Sequence, residues 1–260
     1  MNVPKVIWRP CYELLAARVT TPAWAFMNYG FAPTTADVVA PVLDPSDEAD
    51  RLCIQLYDHV LGTAPLTGKD VLEVGCGRGG GAAYIARYRD PSSTTGLDFS
   101  ERAVALCTRD RRGPGLSFIS GDAQSMPFPE ASFDVVVNVE SSHCYNSVSA
   151  FLAEAARVLR PGGTFRFADL RTIDGLSILR AQLEASGLTV VAFTDITANV
   201  LAAMRLDSAR KLALIRSHVP QVFRAPIRSF AGLEGTANFS GFQTGRLRYV
   251  SAELSKEIRG

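Results

Sequence analysis

The chain has 260 residues, 47% hydrophobic and 20% charged, which is enough apolar material for one large α/β core with a lid. Its 27 basic and 26 acidic residues leave a formal charge of +1, giving no electrostatic case for nucleic acid or for an anionic membrane surface. The five cysteines (Cys11, Cys53, Cys76, Cys107 and Cys144) are odd in number, contain no CxxC pair and lack metal spacing with histidine, so reduced thiols and no metal are expected.

Residues 1–35 are rich in aromatics, with a short helical pattern around Tyr12–Val19, and 36–50 reads as a loop containing Pro41 and Pro45. Glu13 and Arg18 interrupt the apolar run near Met1, and no stretch approaches the ~18–20 apolar residues of a membrane span, so a cytoplasmic protein is expected. Leu52, Leu56 and Val60 recur at helical spacing and predict a helix over Ala49–Leu61. From Lys69 strands and helices alternate. Strands are predicted at Val71–Val74, Thr94–Phe99, Leu116–Ile119, Phe133–Val139 and Thr164–Ala168. Helices fall between them at Gly81–Tyr88, Glu101–Arg109 and Val148–Leu159, with a turn at Arg160–Gly163. Such βα units imply a doubly wound, mostly parallel sheet with right-handed crossovers.

After Asp169 the pattern changes. Leu176–Ala185 and Thr197–His218 read as helices around a strand at Leu188–Phe193, and Arg246–Leu254 reads as a terminal strand. The helix Thr197–His218 mixes Val200, Met204 and Ile215 with Arg205, Arg210, Lys211 and Arg216, a pattern of ordinary amphipathic packing. The single domain thus divides into an N-terminal cap (1–65) with a helical segment, a binding core (66–171), a helical lid or substrate region (172–245) and a terminal strand (246–255).

The segment Val71-Leu-Glu-Val-Gly-Cys-Gly-Arg-Gly-Gly-Gly81 closes a strand and opens a helix. Gly75, Gly77 and Gly79 let the backbone turn sharply and approach a ligand. Nicotinamide enzymes also use such a turn, and three acids narrow the choice. Glu73 lies inside the strand, where a carboxylate needs a partner. Asp98 ends the next strand, placed to accept hydrogen bonds from two ribose hydroxyls. Asp122, in Gly121-Asp122-Ala123 after the third strand, suits an exocyclic amine such as that of adenine. A phosphate would call for Lys or Arg in these places, whereas a sulfonium cofactor without phosphate tolerates acids.

The ordered set resembles class I S-adenosylmethionine-dependent methyltransferases over residues 69–170. Val71–Gly79, Gly96–Phe99 and Gly121–Ala123 are similar to the family's first three motifs, and Ser132–Val139 and Leu159–Gly163 to its fourth strand and Leu-Arg-Pro-Gly-Gly turn. The resemblance implies a Rossmann-like fold, S-adenosylmethionine as methyl donor and S-adenosylhomocysteine as product. It places Gly75, Cys76, Gly77 and Gly79 against the methionine part and Asp98, followed by Phe99, at the ribose. It places Asp122 and the backbone of Ala123 at the adenine. More narrowly, Gly79–Gly81, Asn138–Tyr145 and Ala168–Arg171 resemble actinobacterial phthiotriol-dimycocerosate and fatty-acid O-methyltransferases. That similarity continues weakly into Asn28 and Tyr29 and is poorer through the lid, where substrate is chosen.

Methyl transfer is an in-line displacement, so the protein must mainly align nucleophile, methyl and sulfur. A hydroxyl acceptor also needs a general base, and His143, after the fourth strand in Glu140-Ser-Ser-His-Cys-Tyr145, is the candidate. Glu140 is read as orienting His143, binding substrate or receiving backbone hydrogen bonds at the strand end. Asn138 either contacts the cofactor or satisfies neighbouring backbone. Tyr29 either closes an apolar pocket over cofactor and substrate or packs the cap. Cys144 invites a nucleophile reading that displacement at sulfonium does not need, and His59 and His218 read as structural. The expected reaction is O-methylation of an apolar lipid or polyketide-like small molecule. N- or C-methylation, a nicotinamide-dependent oxidoreductase and a non-catalytic binding protein are the alternatives.

Overall fold

The computed structural model describes residues 12–13, 19–35 and 40–258. Tyr12 and Glu13 are helical, while the rest of the helical pattern up to Arg18, and part of the loop at 36–50, lie outside the described residues.

In chain order the elements are α1 (Arg51–Leu61), β1 (Asp70–Val74), α2 (Gly80–Tyr88), β2 (Ser93–Asp98), α3 (Glu101–Asp110), β3 (Leu116–Ser120) and β4 (Phe133–Val139). There follow α4 (Val148–Val158), β5 (Leu159–Thr172), α5 (Ile173–Glu184), β6 (Thr189–Asp195), α6 (Thr197–His218), α7 (Arg224–Phe230), α8 (Ala237–Gln243) and β7 (Leu247–Ser255). Serine hydroxyls start two of the helices by accepting an otherwise orphaned amide: Ser100 from Ala103 N at 3.2 Å in α3, and Ser147 from Ala150 N at 3.1 Å in α4.

The seven strands form one sheet in the order β3-β2-β1-β4-β5-β7-β6. The pairs from β3 to β5 are parallel, and β7 runs antiparallel to both β5 and β6. The chain leaves β1 first toward β2 and β3 and later returns to β4 on its other side. The carboxyl ends of β1 and β4 therefore flank the crevice where such a sheet takes its ligand.

Strand periodicity sorts the core into two layers. Leu72, Val74, Val136, Phe165 and Phe167 face α4 and α5 in one apolar cluster. Val71, Val135 and Val137 face the opposite way, toward Leu56, Tyr57, Val200, Met204 and Phe242. Glu73 shares its face with Val71, which sends its carboxylate under α1.

Two expectations are refined by the structure. The turn Arg160–Gly163 lies within β5 as a bulge, because Leu159 pairs with Phe133 and Thr164 with Val135. Gly162, at φ +79°, donates its N–H to Lys256 O at 2.9 Å there. Of the stretch 172–245, α5 and β6 belong to the layers of the sheet, β6 as its edge strand on β7. The part that packs with residues 19–35 is narrower: α6, α7 and α8. Val19 and Trp24 cluster with Ile215, Val219, Ala231 and Leu233. Among the described residues no helix is long and apolar enough to cross a membrane.

Candidate active site

The loop after β1 is held closed by its own backbone. Gly75 N and Cys76 N both donate to Leu97 O, at 2.7 and 3.0 Å. Gly75, Gly77 and Gly79 have φ of +73°, +57° and +73°, a run of left-handed residues that only glycine adopts cheaply. Space enforces the same choice at Gly75, where a Cβ would stand 2.3 Å from Ser141 Oγ and 2.8 Å from Tyr145 Oη. Cys76 is buried, with its thiol pushed up by the neighbouring Cys107 and by burial, so it fills space and is not reactive.

Glu73 has no solvent exposure. Its Oε1 accepts the Tyr57 hydroxyl of α1 at 2.5 Å, the Ala82 amide in the first turn of α2 also donates to the carboxylate, and Oε2 is left without a partner. Burial raises its pKa from the ordinary 4.5 to about 7. Asp98 is also buried, accepting Gly77 N on Oδ2 at 2.9 Å and Ser100 N on Oδ1 at 3.0 Å. Burial lifts it to about 6 against these bonds. One carboxylate thus joins the glycine loop to the end of β2. Phe99, 40% exposed, leans on Tyr12 with ring centroids 5.4 Å apart. Asp122 folds its own turn, Oδ1 accepting Gln124 N at 2.9 Å and Gln124 Nε2 at 3.1 Å, and Ala123 beside it is buried.

Asn138 is fully buried near the end of β4. Its Nδ2 donates to Val74 O at 2.9 Å and lies 2.7 Å from Ser141 Oγ and 3.1 Å from Tyr145 Oη, which ties β1 to the segment after β4. Its Oδ1 is buried without a partner. At Glu140 the chain turns through φ +53°, a strained value for a side chain of this size. The Glu140 carboxylate does not reach His143 to orient it. Instead Oε2 accepts the Tyr29 N–H and the Tyr249 hydroxyl, each at 2.9 Å. Burial raises its pKa to about 7. Tyr29 is itself buried, edge-on to Phe242 at 5.7 Å, with its hydroxyl accepting from Asn238 Nδ2 at 2.9 Å.

His143 finds its partner at the end of β5. Its Nδ1 lies 2.7 Å from Asp169 Oδ1, and its backbone N–H donates to Asp169 Oδ2 at 2.9 Å. Asp169 is wholly buried and also accepts from Ser142 Oγ at 2.5 Å, with Arg171 Nη1 3.1 Å from Oδ2. The charges of His143 and Arg171 hold its pKa far below the usual carboxylate range despite burial. Burial alone would lower the His143 pKa, but the Asp169 charge outweighs it and raises the imidazole well above its ordinary value. The His143 side chain remains 30% exposed.

Asp169 and Tyr249 had no assigned role in the sequence. For Asp169 a signal was present, an acid at the end of a buried strand just as at Asp98, whereas Tyr249 showed only strand alternation. His59 stacks on Phe31 at 4.4 Å and touches Ser251 Oγ at 3.1 Å, and His218 bonds Leu214 O within α6, so both lie apart from the rim. Along the carboxyl edge of the sheet the order is Asp122, Asp98, the glycine loop, Asn138 with His143, then Asp169. Among the described residues no three His, Cys, Asp or Glu side chains gather as a metal site.

The family described as "Methyltransferase domain" matches residues 72–167, which runs from β1 into β5. The chain is 40% identical over 245 residues, 94% of its length and 90% of the relative's, to the phthiotriol/phenolphthiotriol dimycocerosates methyltransferase of Mycobacterium tuberculosis (strain ATCC 25177 / H37Ra). It is 38% identical over 226 residues, 87% of this chain and 80% of the relative, to the fatty-acid O-methyltransferase of Mycolicibacterium smegmatis (strain ATCC 700084 / mc(2)155). Among solved structures it is similar to the cyclase SpnF, with a TM-score of 0.71 at 19% identity over 96% of this chain and 95% of that one, a likeness of fold. With the strand order and the rim of acids described above, these similarities establish that the chain belongs to the class I methyltransferases, in the group of the phthiotriol/phenolphthiotriol dimycocerosates and fatty-acid O-methyltransferases.

Proposed function

We propose that the protein is an S-adenosylmethionine-dependent O-methyltransferase acting on a hydroxyl of an apolar lipid or polyketide-like small molecule, with His143 as general base and Asp169 as its positioning residue. The observation that carries this reading is the 2.7 Å pairing of His143 Nδ1 with a carboxylate that has no solvent exposure. Fixed in this way, Nδ1 keeps its hydrogen and Nε2 is the nitrogen left to take the acceptor's proton.

The residues of the rim fit the cofactor. A carboxylate offers about four lone-pair sites, and the backbone uses two on Asp98, which leaves capacity for two ribose hydroxyls. Asp122 stands at the outer end for the adenine amine. The unpartnered Asn138 Oδ1 is an acceptor beside the loop, suited to an ammonium group. Glu73, bonded to Tyr57 and Ala82, shapes the loop from beneath. When bound, the cofactor supplies an electrophilic methyl group on a sulfonium. The protein's own residues align the acceptor and hold its proton.

His143→Ala is expected to lower kcat on a hydroxylated lipid by about 100-fold to 10,000-fold, the range of a general base. Affinity for S-adenosylhomocysteine, measured by calorimetry, should stay near wild type. A rate unchanged at every pH would remove the base role, and NMR of a product methylated on nitrogen or carbon would remove the O-methyl assignment.

A further inference from the structure

We propose that the face made by the end of α6, the turn after it and α7 is a docking surface for a membrane containing anionic lipid. This goes beyond the methyl-transfer reading and is carried by different residues. Between Ser208 and Leu233 the chain has Arg210, Lys211, Arg216, Arg224 and Arg228 and no Asp or Glu. Arg210 and Lys211 turn inward: Arg210 pairs with Asp50 and Asp207, and Lys211 lies 3.5 Å from Asp207. The other three arginines line one open groove on the surface, over an apolar floor that includes Leu212 and Ile215. Arg216 and Arg228 are exposed. Arg224 is partly buried and donates to Val219 O and Arg216 O at 2.9 and 2.7 Å, closing off the last carbonyls of α6 while keeping its charge at the groove.

Many arginines elsewhere in the chain are paired with a carboxylate. Arg51, Arg89, Arg157 and Arg160 each lie within 3.1 Å of a carboxylate. Among the described residues, no carboxylate lies within ion-pair distance of Arg216, Arg224 or Arg228. The whole-chain charge of +1 conceals this patch because the acidic residues that offset it in the sum lie elsewhere in the chain.

The same turn carries Val222 at 77% exposure, flanked by exposed Pro220 and Gln221. Unpaired cations around a protruding apolar side chain suit the boundary between headgroups and acyl chains, where the cations meet anionic headgroups and the apolar tip enters the layer. A free phosphate would satisfy the guanidinium groups yet leave Val222 and the apolar floor wet, so a bilayer is the better match.

The groove also lies on the layer that covers the candidate active site. Ile215 clusters with Ala231 and Leu233. Gly232 packs so close that a Cβ there would stand 2.8 Å from the Tyr29 ring, and Glu140 holds Tyr29 at the end of β4. An acceptor drawn from a bilayer would then arrive on the side of the molecule already built around Tyr29.

The test is co-sedimentation of the full chain with vesicles of phosphatidylcholine alone or containing phosphatidylglycerol. Wild type is expected to bind the anionic vesicles, more weakly as salt rises, and to leave neutral vesicles in solution. Arg216→Gln/Arg228→Gln, both exposed positions, should bind about 25-fold more weakly while melting at the wild-type temperature. Val222→Ser should weaken binding and keep the salt dependence. Absence of wild-type binding at low ionic strength, or equal binding by the double variant, would overturn the proposal. So would inorganic phosphate binding in the groove without any vesicle binding. The assay contains no methyl acceptor or cofactor, so its failure leaves the methyl-transfer reading untouched.

Discussion

At the scale of single residues, the site is a set of buried carboxylates given different tasks by their neighbours. Asp169 is held ionised by His143, Arg171 and Ser142, whereas Glu73, Glu140 and Asp98 are pushed upward by burial. The raised imidazole has a kinetic consequence. As the proposed base, His143 accepts a proton only when neutral, so turnover should climb with pH along a limb centred above the ordinary histidine value of 6.5. Asp169→Asn removes the charge that raises it, so the limb should move to lower pH while kcat falls through lost orientation. A limb that stays in place would show that Asp169 does not govern the titration.

Glu73 yields a prediction about stability. Its folded pKa, about 7, lies above the unfolded 4.5, so the folded state binds the extra proton. The contribution is present at acid pH and is lost as pH rises from about 4.5 through 7, on the order of 3 kcal/mol for a shift of this size. Glu73→Gln keeps acceptors for Tyr57 and Ala82 and cannot ionise. Denaturant melts of the variant should show a flatter loss of stability over that interval, and an unchanged slope would reject the account.

At the scale of elements, one strained residue joins four parts of the chain. Glu140 turns left-handed at the end of β4 and takes one bond from the segment 19–35 and one from β7. Tyr29, in turn, is tied to α8 through Asn238 and packs on Phe242. The cap and α6–α8 are thereby anchored at the carboxyl edge of the sheet, beside the candidate active site. Tyr249→Phe removes one donor and leaves a buried carboxylate with a single partner, at a cost of about 1–3 kcal/mol. Chemical denaturation measures that loss, and S-adenosylhomocysteine affinity should hardly move because Tyr249 lies on the side of the sheet away from Asp98.

At the scale of the whole molecule, sheet and cover share a core. Tyr29, Met204, Phe242 and Tyr249 belong to the same apolar cluster as Val71 and Val137. Scanning calorimetry should therefore give one transition for the chain. S-adenosylhomocysteine at 100 times its Kd should add about 2.7 kcal/mol to stability. Asp98→Ala should abolish that gain, and near-normal stabilisation would remove Asp98 from the cofactor site.

The sequence by itself determined the order of strands and helices between Lys69 and Gly163, the glycine loop and the acids at three strand ends. Strand period, helix period and turn chemistry are local, so a few consecutive residues suffice to read them. Thr197–His218 was legible as a helix for the same reason, from its own apolar spacing. Only the tertiary structure decided which carboxylate serves which partner. His143 meets Asp169 across 26 residues of chain, and Glu140 meets Tyr29 across 111 and Tyr249 across 109. Those meetings depend on β5 lying beside β4, on β7 returning antiparallel next to β5, and on the cap crossing the strand ends. Sequence spacing carries no trace of such contacts, because the sheet order that creates them is settled by the packing of the whole molecule.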